Sequence, residues 1–469
     1  KFDGTVSAMD NNLPDSAQPL RIEASGQLNG RAVTASVNAE PLATASREKP
    51  YRFEFIERSS GSRLTGHGSL PRPFDFQQVE STFEAEGADL KDLYFLTGLN
   101  AVHTGAYRLS GKLTRREDKF EYSDLVVTTG KSDLRGTVRI DTSSGRARVE
   151  ADLESQVLRL SDLGAQASPG AAKPQAAKLT LLPDTKLDLT RMRRRDAVVN
   201  YRARSLEAGH VSLHAVSAKA TIDRGIVVVS PMSAALPDGN VTGRVRIDVT
   251  NERPAVDADL KFSDLQLSRF RRKGSSESPF DGLLRGRVSI SGHGSSVHEV
   301  AASATGTVTA VVPHGAVRAS LAELTAFDLR GLGLTLARDK SDTPIRCAVV
   351  SFKAHDGTLT SENLVIDTEP VLIGGSGTID LDSEALDLTF NGQPKSLRLG
   401  RVRTPVSLRG TLSKPSFGIQ AGGRRSMVQT GGAVALGLVL TPLAAVLAFV
   451  DPGLAKDANC AALLAAPAK

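Results

Sequence analysis

Histidine and serine motifs are the first places where this sequence could carry chemistry. His210 and His214 stand four residues apart, which puts both rings on one face of a strand, but a metal site needs further ligands that the sequence does not place beside them. Gly374-Gly-Ser-Gly377 begins like a nucleophile elbow, yet Thr378 occupies the position of the last glycine. The residues therefore favour surface histidines and a glycine-rich strand.

Other catalytic patterns are missing from the sequence. It contains no GxSxG, HExxH, CxxC or P-loop motif. Its Asp and Glu residues fall on the polar sides of predicted strands, where solubility explains them. We therefore expect a protein that is not an enzyme, with no cofactor and no metal.

Cysteine count and charge limit the compartment and the partners. Cys347 and Cys460 are the two cysteines among 469 residues, compatible with one disulfide in an oxidising compartment or with two buried free thiols. The net charge is +6, aromatic residues make up 4%, and Trp is absent. So weak a charge, with few rings to stack on bases, argues against nucleic acid and fits an anionic membrane surface.

One phrase recurs in register along the chain. Gly136-Thr-Val-Arg-Ile-Asp141 returns as Gly243-Arg-Val-Arg-Ile-Asp248, and a shortened copy starts at Gly377-Thr-Ile-Asp380. After each full copy an Ala-Asp-Leu triplet follows at the same distance, and then the pair Leu160-Ser161 or Leu267-Ser268. The uneven spacing of the copies predicts a degenerate unit that extends a sheet, and not a strict solenoid.

Alternation of apolar and charged residues predicts half-buried strands. Val149, Ala151 and Leu153 alternate with Glu150 and Asp152, and the same period of two occurs at 256–262 and 386–390. Such strands are typical of antiparallel sheets with one wet face. The sequence therefore predicts a mainly β protein with few short helices.

Composition shifts divide the chain into units. Two linker-like segments, 164–178 and 271–281, separate predicted β units at 1–163, 177–270 and 281–421. Short helices are predicted near 87–99 and at 317–329, the latter from apolar residues at helical spacing.

The tail from residue 422 to residue 469 is apolar. Residues 426–450 carry no charge and are long enough to cross a bilayer. Gly431, Gly432, Gly437 and Pro442 interrupt this stretch, which favours a broken helix packed on the sheet over a transmembrane helix.

The order of these segments resembles the AsmA family of bacterial envelope proteins. The resemblance is carried by residues 129–163, by Gly282-Leu-Leu-Arg-Gly286 and the residues after it, and by the ending, where 371–380 leads to 405–415, the apolar tail and Cys460. It covers most of the chain and is strongest from about Leu90 onward.

The resemblance implies a location and an architecture. Family members are anchored in the inner membrane by an N-terminal helix, absent from this sequence, and their bodies lie in the periplasm. They are related to bridge-like lipid transfer proteins, whose long curled antiparallel sheets form an elongated apolar groove. The family also implies a disulfide between Cys347 and Cys460 that ties the apolar tail onto the sheet.

We therefore expect a groove that shields phospholipid acyl chains between the inner and outer membranes. The alternative is a non-enzymatic scaffold that assists outer-membrane protein assembly or envelope integrity and recruits envelope proteins through its edge strands. Periodicity does not separate an open groove from a closed core, and the resemblance favours the groove. Its expected lining consists of the inward residues of the repeated strands: Val138, Ile140, Val149, Leu153, Val245, Ile247, Leu260, Phe262, Ile379, Leu381, Leu388 and Phe390.

Overall fold

The period of two in the sequence folds into strands along most of the chain. A computed structural model describes residues 2–9, 19–28, 30–42, 45–46, 48–59, 61–94, 103–163, 182, 184, 193, 195–208, 211–236, 239–269, 280–317, 343–369, 371–395, 405–419 and 455–461. These residues are mainly β-strands joined by turns, with few and short helices, so the mainly β fold is confirmed.

The strands belong to two compact units. Unit 1 comprises residues 1–175 and 190–237, and unit 2 comprises residues 176–189 and 238–469. The predicted division at 164–178 and 271–281 stays a prediction, because nearly all of both linkers lies outside the described residues. The predicted broken helix of the tail lies outside them too, apart from residues 455–461.

Unit 1 is a sheet whose strands pair mostly in chain order. Its antiparallel pairs run from β1 with β2 through β9 with β10, and from β11 with β12 to β12 with β13. The strands are β1 Phe2–Met9, β2 Leu20–Leu28, β3 Arg31–Ala39, β4 Tyr51–Ser59, β5 Ser62–Leu70, β6 Gln78–Gly87, β7 Tyr107–Arg116, β8 Lys119–Thr129, β9 Ser132–Asp141, β10 Arg148–Arg159, β11 Asp196–Ala208, β12 Val211–Asp223 and β13 Ile226–Leu236.

One pair in unit 1 departs from the antiparallel expectation. β10 and β11 run parallel, with Val149 beside Ala197 and Leu153 beside Tyr201. Parallel neighbours need a long crossover, and the chain between Arg159 and Asp196 supplies it. The predicted linker 164–178 lies within this stretch, so the change of direction could not be seen from strand periodicity.

Unit 2 is a second antiparallel array. β17 and β18 each pair with β16 on one side and with β19 on the other. The other neighbouring strands pair in chain order. The strands are β14 Gly239–Asp248, β15 Ala255–Gln266, β16 Phe280–His293, β17 Thr305–Val312, β18 Gly315–Val317, β19 Thr343–His355, β20 Thr358–Thr368, β21 Val371–Asp380, β22 Ala385–Pro394, β23 Val406–Thr411 and β24 Lys414–Ile419.

The described helices are short. Of the helix predicted near 87–99, Gly87 ends β6 and a 3₁₀ helix, η1, spans Leu90–Leu93, while residues 95–102 lie outside the described part. The repeated Leu-Ser pairs begin two further 3₁₀ helices, η2 at Leu160–Leu163 and η3 at Leu267–Arg269. An α-helix, α1, spans Val297–Ala302. Of the helix predicted at 317–329, Val317 ends β18 and the rest is outside the described residues.

The repeated glycine lies opposite a leucine of the neighbouring strand in every copy. The pairs are Gly136 with Leu153, Gly243 with Leu260, and Gly377 with Leu388. A Cβ on these glycines would lie 2.0, 2.3 and 2.1 Å from a backbone carbonyl oxygen of that strand. Gly136 and Gly377 also have φ of +147° and +145°, which L side chains rarely adopt. The phrase therefore keeps its glycine because two strands approach closely there.

The aspartate that ends each full copy closes the following turn. The Asp141 carboxylate accepts hydrogen bonds from the Ser143 N–H at 3.0 Å and the Ser143 hydroxyl at 2.6 Å. Asp248 accepts the same pair of bonds from Thr250 at 3.0 and 2.6 Å. These bonds, the hydroxyl first, hold the pKa of both carboxyls below the usual range. The repeat thus encodes a strand and the turn that follows it.

Replacing the repeat glycine should cost stability. We expect Gly377→Ala to lower the free energy of unfolding by about 1–3 kcal/mol, because the new Cβ meets the Asp387 carbonyl at a strained φ. Gly374→Ala is the matched control in the same strand, since a Cβ there meets no atom within 4 Å. Urea unfolding of both variants measures the difference, and equal losses would contradict the close-approach explanation.

Candidate functional site

In unit 2 the register places the predicted lining residues on one face of the sheet. Val245 and Ile247 pair with Ala258 and Val256, so they share a face with Leu260 and Phe262. Ile379 on β21 shares a face with Leu388 and Phe390 on β22, because Gly377 pairs with Leu388 and Gly375 with Phe390. Leu381 lies in the turn after β21 and packs against the cluster on this face.

Intervening strands carry this face across unit 2 without a break. Leu260 pairs with Val288, Val288 with Val308, and Val308 with Phe352, so an aliphatic or aromatic side chain occupies each step. On the far side of β19, Leu359 pairs with Ile379. The eight predicted residues of unit 2 therefore belong to one continuous apolar face.

The burial of this face is graded. Phe352, Ala354, Leu359, Leu364 and Leu388 form a buried cluster, and Ile379, Leu381 and Phe390 are partly buried residues packed against it. Leu388 is 6% exposed, whereas the other seven predicted residues are half-buried. Half-burial means that neighbours on the same sheet shield these side chains while part of each stays accessible.

In unit 1 the four predicted residues also share one face. Val149 pairs with Ile140, and Ala151 with Val138, which places Leu153 on the same side. The face continues on β8 through Tyr122 and Phe120, which pair with Val138 and Ile140. Across the parallel pair it continues through Ala197, Val199 and Tyr201. All four predicted residues are half-buried.

Short helices cover parts of these faces in the described residues. Within each unit, the extensive contacts of a described strand are with strands hydrogen-bonded to it. In unit 1, η1 lays Leu90 and Leu93 on a cluster that contains Val33, Ala85 and Tyr107. In unit 2, Leu267 of η3 packs on Val312, Ile345 and Ala348. Each helix covers one border of its face.

One carboxyl that the sequence did not single out lies on the apolar face of unit 1. Glu57 pairs with Ala35 on β3 and Leu64 on β5, and it follows Phe55 at the period of two. Among the described residues it has no hydrogen bond or ion pair, and burial raises its pKa to about 7. The detectable signal was a charged residue at an inward position after Tyr51, Phe53 and Phe55.

Cys347 and Cys460 lie at disulfide distance in unit 2. Their Cα atoms are 5.8 Å apart and their sulfur atoms 2.00 Å apart, which brings residues 455–461 onto β19. Beside them, Asp367 is fully buried and its Oδ2 accepts a hydrogen bond from the Ala458 N–H at 3.1 Å. The C-terminal segment is therefore held by main-chain contact as well as by the cysteines.

Two cations complete this contact. Lys395 forms ion pairs with Asp367 and, at 2.6 Å, with Asp457, and Arg346 also pairs with Asp457. The hydrogen bond from Lys395, followed by that from Arg346, holds the pKa of Asp457 below its usual range. The ligand atoms of Cys347, Asp367 and Cys460 are close enough for a metal ion, but the positive charges beside them oppose a cation.

Comparison with known proteins assigns the family. The model of the AsmA family matches residues 3–364. The chain belongs to the AsmA family. It is also 24% identical to the AsmA family protein YhjG of Escherichia coli (strain K12) over 466 residues, which cover 94% of this chain and 68% of the relative. No solved structure matches it significantly.

AsmA family proteins are associated with the cell envelope, so membership indicates an envelope-related function. Of the helices in the described ranges, none has the length and apolarity needed to span a membrane. Eleven of the twelve predicted lining residues lie on strands of this AsmA chain, and Leu381 lies in the turn after β21. Four of the twelve belong to the face of unit 1 and eight to that of unit 2. His214 is exposed, as expected for a surface histidine, and His210 lies outside the described residues.

Glu57 should make folding stability depend on pH. Its pKa rises from 4.5 in the unfolded chain to about 7 in the fold, so the stability that its protonated form contributes is complete below pH 4.5 and lost as pH rises through 7. We expect Glu57→Gln to be more stable than the native chain by about 1–2 kcal/mol at pH 8, after discounting for partial exposure, and equal to it at pH 4. Urea unfolding across this range measures the gap.

Glu54→Gln is the control for that experiment. Glu54 lies in the same strand on the opposite, exposed face. A gap that is the same for both variants, or one that does not change with pH, would contradict the placement of Glu57 on the apolar face.

The cysteine pair should be oxidised and should stabilise unit 2. We expect non-reducing peptide mapping to find Cys347 linked to Cys460, and Cys347→Ser/Cys460→Ser to lose about 4–5 kcal/mol for a loop of 113 residues. Asp457→Asn, which weakens the ion pairs and leaves the sulfur atoms in place, should lose less. Quantitative labelling of both thiols in the native protein would show that the pair is reduced.

Proposed function

We propose that this protein is a periplasmic lipid-binding and lipid-transfer protein. Its apolar faces shield the acyl chains of phospholipids, and it moves lipid between the inner and outer membranes without chemistry. The observation that carries the proposal is the continuous, half-buried apolar face of unit 2, from Val245 on β14 to Phe390 on β22.

The composition of the faces suits an acyl chain better than a directional ligand. The lining is mainly Val, Leu and Ile, which offer no hydrogen bonds that would fix a bound molecule in one place. Burying a CH₂ group contributes about 0.8 kcal/mol wherever it occurs. An acyl chain would therefore be held with similar strength along the face and could slide over it.

The glycine of the repeated phrase supports a smooth path. Opposite Gly243 the Leu260 side chain lies across the position that a second side chain would take, with its Cδ2 2.9 Å from the place of a Cβ. A cross-strand pair of a leucine and a glycine gives a flatter surface than a pair of two large side chains. We infer that the repeat evens the surface over which the acyl chain moves.

Location and anchoring are part of the same proposal. The cysteine pair at disulfide distance suits the oxidising periplasm, and family membership supports an envelope location. In the proposal an N-terminal helix anchors the body to the inner membrane, phospholipids are the ligands, and envelope proteins hand the lipid over.

Photocrosslinking at matched positions tests the proposal. We expect a photoreactive residue at Leu260 to capture phospholipid in cells, because this side chain lies on the apolar face, and the same residue at Lys261 to capture none, because successive strand residues point to opposite faces. Val149 and Glu150 form a second matched pair on β10. Lipid extraction and mass spectrometry identify the adducts.

The scaffold alternative gives a different result. A closed apolar core would yield crosslinks between Leu260 and other positions of this chain, and purified protein would carry no phospholipid. That outcome, with partner proteins captured at exposed edge strands, would replace lipid transfer by assembly assistance.

A further inference from the structure

Two phenylalanine rings project from a turn at one border of unit 1. Phe74 and Phe76 lie in the turn between β5 and β6, residues 71–77, and each is 57% exposed. Over the described residues, the other large apolar side chains of comparable exposure are Leu160, Leu283 and Val297, which are well separated in sequence. Two exposed rings on one turn form an apolar patch that folding leaves open.

The turn is built to present these rings. The Asp75 N–H donates to the Arg72 carbonyl and the Phe76 N–H to the Phe74 carbonyl, both at 3.1 Å. An ion pair of 3.6 Å joins Arg72 to Asp75. Phe74 has a φ of +66°, which is uncommon for a bulky side chain and carries strain. The rings are therefore exposed on a hydrogen-bonded turn.

The turn adjoins the apolar face. It follows Leu70, which pairs with Tyr51, and each of these two residues is only 4% exposed. The next turn along the border is joined to it, since the Glu117 N–H donates to the Gln77 carbonyl at 2.6 Å. The exposed rings thus extend the apolar surface of unit 1 beyond the strand ends.

The charges around the rings nearly cancel. Glu117 and Asp118 are exposed in the neighbouring turn, and so are Arg116 and Lys119, which flank it at the ends of β7 and β8. The patch therefore has aromatic surface without a strong field of either sign. Such a patch suits a partner that accepts apolar rings without requiring opposite charge.

We propose that residues 71–77 dock unit 1 on a lipid bilayer by inserting Phe74 and Phe76 among the lipids at its surface. Area decides between a bilayer and a protein partner. A stable protein interface buries about 800 Å² on each side, whereas one Phe side chain buries roughly 150–250 Å². Two partly exposed rings offer less area than a stable protein interface buries. They are sufficient for insertion at a bilayer surface, which needs the ring surface alone.

This docking does not depend on the proposed lipid transfer. The rings could hold the protein at a membrane whether or not the apolar faces carry acyl chains. The two ideas therefore fail separately: docking without lipid adducts at Leu260 would remove the transfer function and keep the membrane contact.

A tryptophan reporter tests the insertion directly. The chain has no Trp, so Phe76→Trp gives a single tryptophan in the full chain, which can be excited selectively over the five Tyr residues. With vesicles of phosphatidylcholine we expect its emission to shift to shorter wavelength and brominated phosphatidylcholine to quench it. Leu160→Trp, at an exposed apolar site away from the turn, is the control and should show neither effect. No quenching at 76, or equal quenching at both sites, would overturn the proposal.

Vesicle flotation measures the contribution of the rings. We expect Phe74→Gly/Phe76→Ser to weaken binding to phosphatidylcholine vesicles at least ten-fold, and Leu160→Ser to leave it unchanged. The Gly substitution relieves the strained φ, so the variant should fold as well as the native chain, which thermal unfolding verifies.

Salt dependence and self-association distinguish bilayer insertion from a charge contact with lipid and from contact with a second copy of the chain. Bilayer insertion by neutral rings predicts that added phosphatidylglycerol or salt changes the binding little. Binding that requires phosphatidylglycerol and disappears with salt would overturn insertion in favour of a charge contact. A dimer in sedimentation that the Phe74→Gly/Phe76→Ser variant loses would assign the rings to a second copy of the chain and would overturn it as well.

Discussion

The need to shield one apolar side of each sheet governs this structure. A strand with a period of two presents one apolar and one polar face, and the apolar one must find cover. In the described residues the cover comes from same-sheet neighbours and from the borders, where η1 and η3 place leucines. The result is graded burial: Leu388 is nearly inaccessible, while Val245, Leu260 and Phe390 remain half-buried.

Close approach of neighbouring strands explains the repeated phrase. Its glycine leaves room for the backbone carbonyl of the neighbouring strand, and a leucine of that strand lies opposite the glycine. Its aspartate accepts the hydrogen bonds that fix the next turn. The glycine and the aspartate lie within the six residues of the phrase and couple the spacing of strands to the position of turns, so a copy can be inserted without disturbing its neighbours. That independence allows copies at uneven intervals, and it separates this repeat from a solenoid whose turns must stack in strict register.

The sequence predicted those features that depend on local periodicity. The strands around Val149, Leu260 and Leu388, the faces of their side chains and the scarcity of helices follow from alternation and turn residues. The parallel pairing of β10 with β11 was missed because direction is decided by a crossover that carries no strand signal. At the start of the helix predicted near 87–99, Gly87 belongs to β6, because the strand pairing continues that far.

Residues that break the alternation were also missed, and they are the informative ones. Glu57 occupies an inward position on β4 after Tyr51, Phe53 and Phe55, so its carboxyl is desolvated without a partner among the described residues. A search for alternating apolar and polar residues ignores one charged residue among apolar ones, whereas the structure places this carboxyl on the apolar face.

Phe74 and Phe76 show the converse case, apolar residues outside any strand. Within a strand the facing residues of two neighbours shield a phenylalanine, as Gly66 and Val37 do for Phe55. A turn supplies no such neighbours, so the same side chain stays exposed unless something outside the unit covers it. Burial in this family fold is therefore a property of sheet position more than of residue type. Apolar residues at turns, which sheet pairing cannot shield, are where contact with the surroundings should be sought.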